Sequence, residues 1–216
     1  MSRRLLLALL FLPCAIEAHT IPYELEQLRG DQVFGKYVAV GFEHIIPLGF
    51  DHILFIVCVF FLNSRLRQIV WQASMFTLAH SLTLALAAYG VITPNPKLVE
   101  PLIAFSIFLL AVENVLTDKV RAWRMASVFG FGLIHGLGFA GALAQLGLPR
   151  YAFATALVGF NIGVELGQLS IILAMYFLLA RLFGAKSWYR SRVVIPASLV
   201  MAGVALAWTL QRIFFP

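Results

Sequence analysis

The sequence predicts an all-α membrane protein, a polytopic bundle of six transmembrane helices after a cleavable signal peptide. Three observations lead there. The 216 residues are 61% hydrophobic and only 12% charged, with a mean hydropathy of +0.90, whereas a soluble domain is about a quarter charged. The apolar residues gather in runs of roughly 20, the length a helix needs to cross the hydrocarbon core. The basic residues sit at the ends of those runs. A net charge of +6 therefore orients a membrane chain and gives no reason to expect a nucleic-acid partner.

The elements follow in order. Arg3 and Arg4, the apolar stretch Leu5 to Leu12 and the small residues leading to Ala18 have the form of a secretory leader, residues 1–18. Cleavage after Ala18 leaves Cys58 as the single cysteine, so no intramolecular disulfide forms. Residues 19–37 are polar, with Glu24, Glu26, Arg29 and Asp31, and read as a short tail outside the cytoplasm. Residues 38–216 form the six-helix transmembrane domain. Its apolar runs are roughly Phe42–Leu62, Ile69–Tyr89, Leu98–Leu116, Ala126–Leu146, Ala152–Leu179 and Val193–Leu210. They are helices, because an open strand in lipid would leave its backbone groups unpaired. With the tail outside, the inner loops carry nine basic residues (Arg65 and Arg67; Lys119, Arg121 and Arg124; Arg181, Lys186, Arg190 and Arg192) against five in the outer segments. That bias agrees with the leader. No glycine–lysine phosphate loop is present, so nucleotide is not an expected partner.

Ionisable residues inside a membrane are costly and mark function. Of five histidines, only His19 lies in the tail; His44, His52, His80 and His135 all fall in apolar spans, as do Asp51 and Glu165. His52, His80, His135 and Glu165 each lie near the middle of a different span. Four helices then offer a ligand-type side chain at one depth, where transporters bind their ions. Imidazole with carboxylate suits nickel, cobalt, zinc or iron. A lone membrane histidine often serves only as an interhelical hydrogen bond; four of them with two carboxylates argue for a ligand set. The expected metal ligands are His44, Asp51, His52, His80, His135 and Glu165.

Pro47 and Gly49 make a regular helix doubtful in the first span. A broken helix would put His44 at the outer mouth and Asp51 and His52 deeper. Thr83 extends a polar stripe with Thr77 and His80. Asn161, Glu165 and Gln168 share one face of the fifth span, so Asn161 and Gln168 are candidates to support the ligands or to bind helix to helix. Glu100 sits at the outer end of the third span. His19, as the first residue after cleavage, would offer an amine and an imidazole to an arriving metal.

The stretches GFEHIIPLGFDHILF, FTLAHSLTLAL, VEPLIAFSI, FGLIHGLGFAGAL and FNIGVELGQL resemble the HupE/UreJ hydrogenase and urease accessory membrane proteins. The resemblance covers roughly Gly41 to Ser170. It implies a nickel or cobalt permease that supplies metalloenzyme assembly from the bacterial inner membrane. It also maps the family's histidine–aspartate–histidine motif onto His44, Asp51 and His52, and its later histidine segments onto His80 and His135. The better-studied members carry proline directly after the first histidine. Here Ile45 follows and Pro47 comes later, which leaves the metal open among nickel, cobalt, copper, zinc and iron.

The expected function is thus a secondary permease for a divalent transition-metal cation. It is not an enzyme and holds no permanently bound cofactor. The competing readings are a haem- or metal-binding membrane subunit and a non-transporting accessory partner of a membrane complex. The oligomeric state is left open. His44 near Leu48-Gly49-Phe50 and His135 near Leu137-Gly138-Phe139 further suggest a three-plus-three inverted repeat.

Overall fold

The computed structural model describes residues 28–62, 65–146 and 149–215; the leader and His19 lie outside the described residues. The described residues form helices joined by short turns, with no strand among them. We number the helices α1 (Gly30–Ile45), α2 (Phe50–Phe61), α3 (Leu66–Ala88), α4 (Pro96–Leu116), α5 (Arg124–Leu146), α6 (Phe153–Met175) and α7 (Ile195–Phe214). Helix α6 runs on through a π-helical turn and a short helix to Phe183, and α7 is led in by a π-helical turn from Arg190. The helices α3 to α7, with these extensions, are five elements long and apolar enough to cross a membrane. The pair α1–α2, bent by 71°, makes a sixth span when counted as one. Leucines and valines such as Leu78, Leu82, Val158, Leu166 and Val200 face outward, as suits a bundle whose solvent is lipid.

The first span is the one that departs from a straight rod. Helix α1 begins at Gly30, inside the stretch that reads as tail. Its buried positions Val33, Tyr37, Gly41 and Ile45 recur every fourth residue and lay one stripe along α6. Asp31 stays exposed and Lys36 half-buried. The break comes where proline lacks an N–H to continue the helix. Gly49 then folds back against α1, so closely that a Cβ there would lie 2.2 Å from the His44 carbonyl oxygen. At the other end of the hydropathy pattern, α4 starts on Pro96, with the Asn95 side chain accepting from the Lys97 amide at 3.1 Å.

The most extensive helix pairings are α1 with α6, α3 with α5, and α4 with α7. Pairing does not follow sequence order, so the histidine-bearing segments of distant spans come together in the middle.

Near the far end of α2 lies a buried polar knot. Arg124, which reads from sequence as a loop cation, is fully buried at the start of α5. It forms an ion pair with Glu113 of α4, donates from Nε to Gln72 of α3 at 3.2 Å, and donates to the Cys58 carbonyl at 3.2 Å. Asn114 donates to the same carbonyl at 2.9 Å. Four helices are thereby tied at one point. Removing one member of a buried pair strands the other, at about 3–5 kcal/mol. Arg124→Met is accordingly expected to lower the unfolding temperature in detergent sharply, and Arg124→Met with Glu113→Leu to recover most of the loss. Thermal unfolding followed by size exclusion checks both.

Candidate metal centre

Three histidines meet where α1, α2 and α3 converge. One ring nitrogen from each of His44, His52 and His80 lies within 4.8 Å of the others. The bend at Pro47–Gly49 makes this possible. A straight first span would carry His44 eight residues, or about 12 Å, away from His52; folded back, their ring centroids are 4.7 Å apart. The expectation that His44 stands at a separate outer mouth is therefore corrected, since the break folds it into the cluster. His135 of α5 stands beside them, with its ring 5.0 Å from that of His52.

The nitrogens are poised to accept something. Nε2 of His44, Nε2 of His52, both ring nitrogens of His80 and Nδ1 of His135 are buried without a hydrogen-bond partner among the described residues. Buried polar atoms are nearly always satisfied, so a run of orphans in one place makes this cluster the candidate ligand site. His135 shows how the orphans are aimed. Its Nε2 lies 3.0 Å from the Ser106 hydroxyl, which donates to the Ile103 carbonyl at 2.7 Å. With its one proton committed, Ser106 accepts from Nε2–H, and Nδ1 keeps its lone pair. Such a second contact is how proteins fix the tautomer of a metal-binding imidazole. Ser106 escaped the sequence reading, because a single serine in an apolar span looks the same whether it bonds to its own helix or orients a neighbour.

Phenylalanines enclose the cluster. Phe139 lies 3.8 Å from the His44 ring, Phe160 stacks on Phe139 at 4.9 Å, and Phe76 and Phe55 lie 5.0 and 5.1 Å from His135. These rings give the imidazoles largely apolar neighbours.

The two carboxylates expected with the histidines are set apart from them. Asp51 accepts from Arg212 of α7 at 2.9 and 3.2 Å. Its neighbour in sequence points about 100° away on a helix, so His52 turns to the cluster while Asp51 turns to α7. Glu165 accepts from Ser74 at 2.6 Å. It lines a lateral groove of about 500 Å³ between α3 and α6, together with Thr77, Ser81 and Asn161 and with none of the histidines. Asn161 spends its amide on the Leu157 carbonyl at 2.8 Å and approaches His80 without completing a well-formed hydrogen bond. Gln168 accepts from Thr77 at 3.3 Å, and Thr83 donates to the Leu133 carbonyl at 2.8 Å, so both join helices. Glu100 is exposed, and its backbone carbonyl accepts from Arg212 at 3.1 Å. A larger cleft of about 690 Å³ lies elsewhere, among Arg65, Arg67, Trp71 and Arg121. Its basic walls repel a cation, so it is not the metal centre.

An all-helical bundle with membrane-spanning helices around a buried, unsatisfied histidine cluster defines a polytopic membrane protein with a candidate cation site. The chain belongs to the HupE / UreJ protein family, whose model matches residues 22–212. Neither a curated protein nor a solved structure matches it.

Proposed function

We propose that this protein is a secondary permease for a divalent transition-metal cation, nickel or cobalt, that supplies metalloenzyme maturation. The observation that carries the reading is the meeting of His44, His52 and His80 within 4.8 Å in the bundle interior, with His135 beside them. Imidazole is a borderline donor that suits nickel, cobalt, copper and zinc and disfavours magnesium and calcium. Four imidazoles in reach of one another can pass an ion from one to the next. Asp51 lies next to this path, and Glu165 and Asn161 flank it from the groove side.

In this reading the chain carries out no covalent chemistry and needs no nucleotide. An inside-negative potential gives a divalent ion about 4.6 kcal/mol per 100 mV, enough for accumulation on the order of a thousandfold. The orientation that goes with it has residues 1–18 removed as a leader, residues 19–37 outside the cytoplasm, and the bundle in a bacterial inner membrane.

The test is uptake by the purified full chain in liposomes. Vesicles with an inside-negative potassium diffusion potential are expected to accumulate Ni²⁺ or Co²⁺ well above protein-free vesicles and to exclude Mg²⁺. Uptake no faster than in protein-free vesicles, with either metal, overturns the reading.

A further inference from the structure

The ion pair between Asp51 and Arg212 is unlike the others. It joins the first turn of α2 to the last turn of α7, and both side chains are a quarter exposed. Asp51 directly precedes His52, a member of the cluster. Arg212 reaches Asp51 with one terminal nitrogen and holds the Glu100 carbonyl with the other, at 3.1 Å, so its guanidinium is fixed between α2, α4 and α7. A permanent cation is thus anchored at the edge of a site whose imidazoles await a cation.

We infer that Arg212 is a built-in competitor for the metal. It occupies Asp51 while the site is empty and yields Asp51 to the ion when the ion binds. This rests on the metal-permease reading above and deepens it by naming the residue that controls access. The physical ground is charge. A divalent ion attracts a carboxylate twice as strongly as a guanidinium does at the same distance, which favours the exchange once the imidazoles have replaced the ion's water. Asp51 is the second residue after Gly49, where the chain turns. The Arg212 side chain also packs over Trp208, with its guanidinium carbon 5.7 Å from the ring centroid. That contact gives the released guanidinium a second resting place.

The prediction is a gain rather than a loss. With the competitor removed, the full-length Arg212→Gln protein in detergent is expected to bind Ni²⁺ or Co²⁺ about twofold to fivefold more tightly than wild type by calorimetric titration, as for release from a partly exposed ion pair. Arg212→Lys restores wild-type affinity, because the charge returns. The gain must run through the carboxylate, so Asp51→Asn and Asp51→Asn/Arg212→Gln are expected to bind alike. Unchanged or weaker binding by Arg212→Gln overturns the inference. So does a gain that persists in the Asp51→Asn background, which would make Arg212 a remote repulsive charge and not a competitor. If wild type binds neither metal, the permease reading fails first; if wild type binds and only the gain is missing, the permease reading stands and this inference alone falls.

Discussion

His80→Ala is expected to abolish metal uptake in liposomes, leaving the rate of protein-free vesicles, while the protein still folds. Both parts of that expectation come from the same fact. His80 is fully buried, yet neither of its ring nitrogens has a hydrogen-bond partner among the described residues. A histidine kept as interhelical glue would have one. Thr83, three residues on, shows what glue looks like: it crosses to the Leu133 carbonyl at 2.8 Å. Leaving a buried polar group unsatisfied costs about 1–3 kcal/mol, so deleting the imidazole removes that penalty. Against this stands the cavity left by the ring, which costs a few kcal/mol where the site cannot collapse. The two offset, and thermal stability in detergent is expected to change little. Uptake of Ni²⁺ and Co²⁺ should vanish because His80 is one of the three rings within 4.8 Å. Transport at the wild-type rate by a well-folded His80→Ala protein would remove the cluster from the path.

The same region shows what a sequence can and cannot disclose. Hydropathy is a one-dimensional quantity. It placed the spans of α3 to α7 to within a few residues and found His80 and His135 near the middle of theirs. Direction around a helix is not one-dimensional. Asp51 and His52 are adjacent and of similar depth, yet one meets Arg212 and the other the histidines, and only the packing of α7 decides which. Glu165 shares a face with Asn161 and Gln168 as the spacing requires, but that face looks toward Ser74 and the lateral groove. The break at Pro47–Gly49 was legible, but not its direction: the 71° turn brings His44 back beside His52 instead of leaving it at an outer mouth. Arg124 misled for a different reason. A cation at the end of an apolar run is usually an anchor in the interface, and nothing local reveals that Glu113 waits for it on the preceding helix.

Gly41→Ala and Gly132→Ala are expected to damage assembly of the bundle to a similar degree, and the similarity matters as much as the damage. A Cβ at Gly41 on α1 would lie 2.0 Å from the carbonyl oxygen of Phe160 on α6; one at Gly132 on α5 would lie 2.6 Å from the carbonyl oxygen of Phe76 on α3. These contacts are with backbone, which cannot swing aside, so the paired helices must move apart. Forced overpacking of this kind typically costs about 1–3 kcal/mol. The two contacts correspond at several positions. The shift in sequence that carries Gly41 onto Gly132 also carries His44 onto His135 and Ile45 onto Gly136. The shift that carries Phe160 onto Phe76 carries Gly167 onto Thr83. Ile45 packs on Gly167 in one pair, and Gly136 packs on Thr83 in the other, with the small residue exchanged between the helices. His44 lies 5.6 Å from Phe160, and His135 lies 5.0 Å from Phe76. Matched registers in α1·α6 and α5·α3 support two inverted three-helix repeats with the histidines at their interface, one repeat bent at Pro47–Gly49 and the other straight at Gly136–Gly138. Gly130→Ala and Gly35→Ala are the controls. Each lies near one of the critical glycines, a Cβ at either meets nothing within 4 Å, and alanine favours a helix by up to about 1 kcal/mol over glycine. Both controls should match or exceed wild type in unfolding temperature, while Gly41→Ala and Gly132→Ala fall below it together. A Gly132→Ala protein as stable as the Gly130→Ala control would dissolve the correspondence, because the close approach of α5 to α3 would then not be holding that pair.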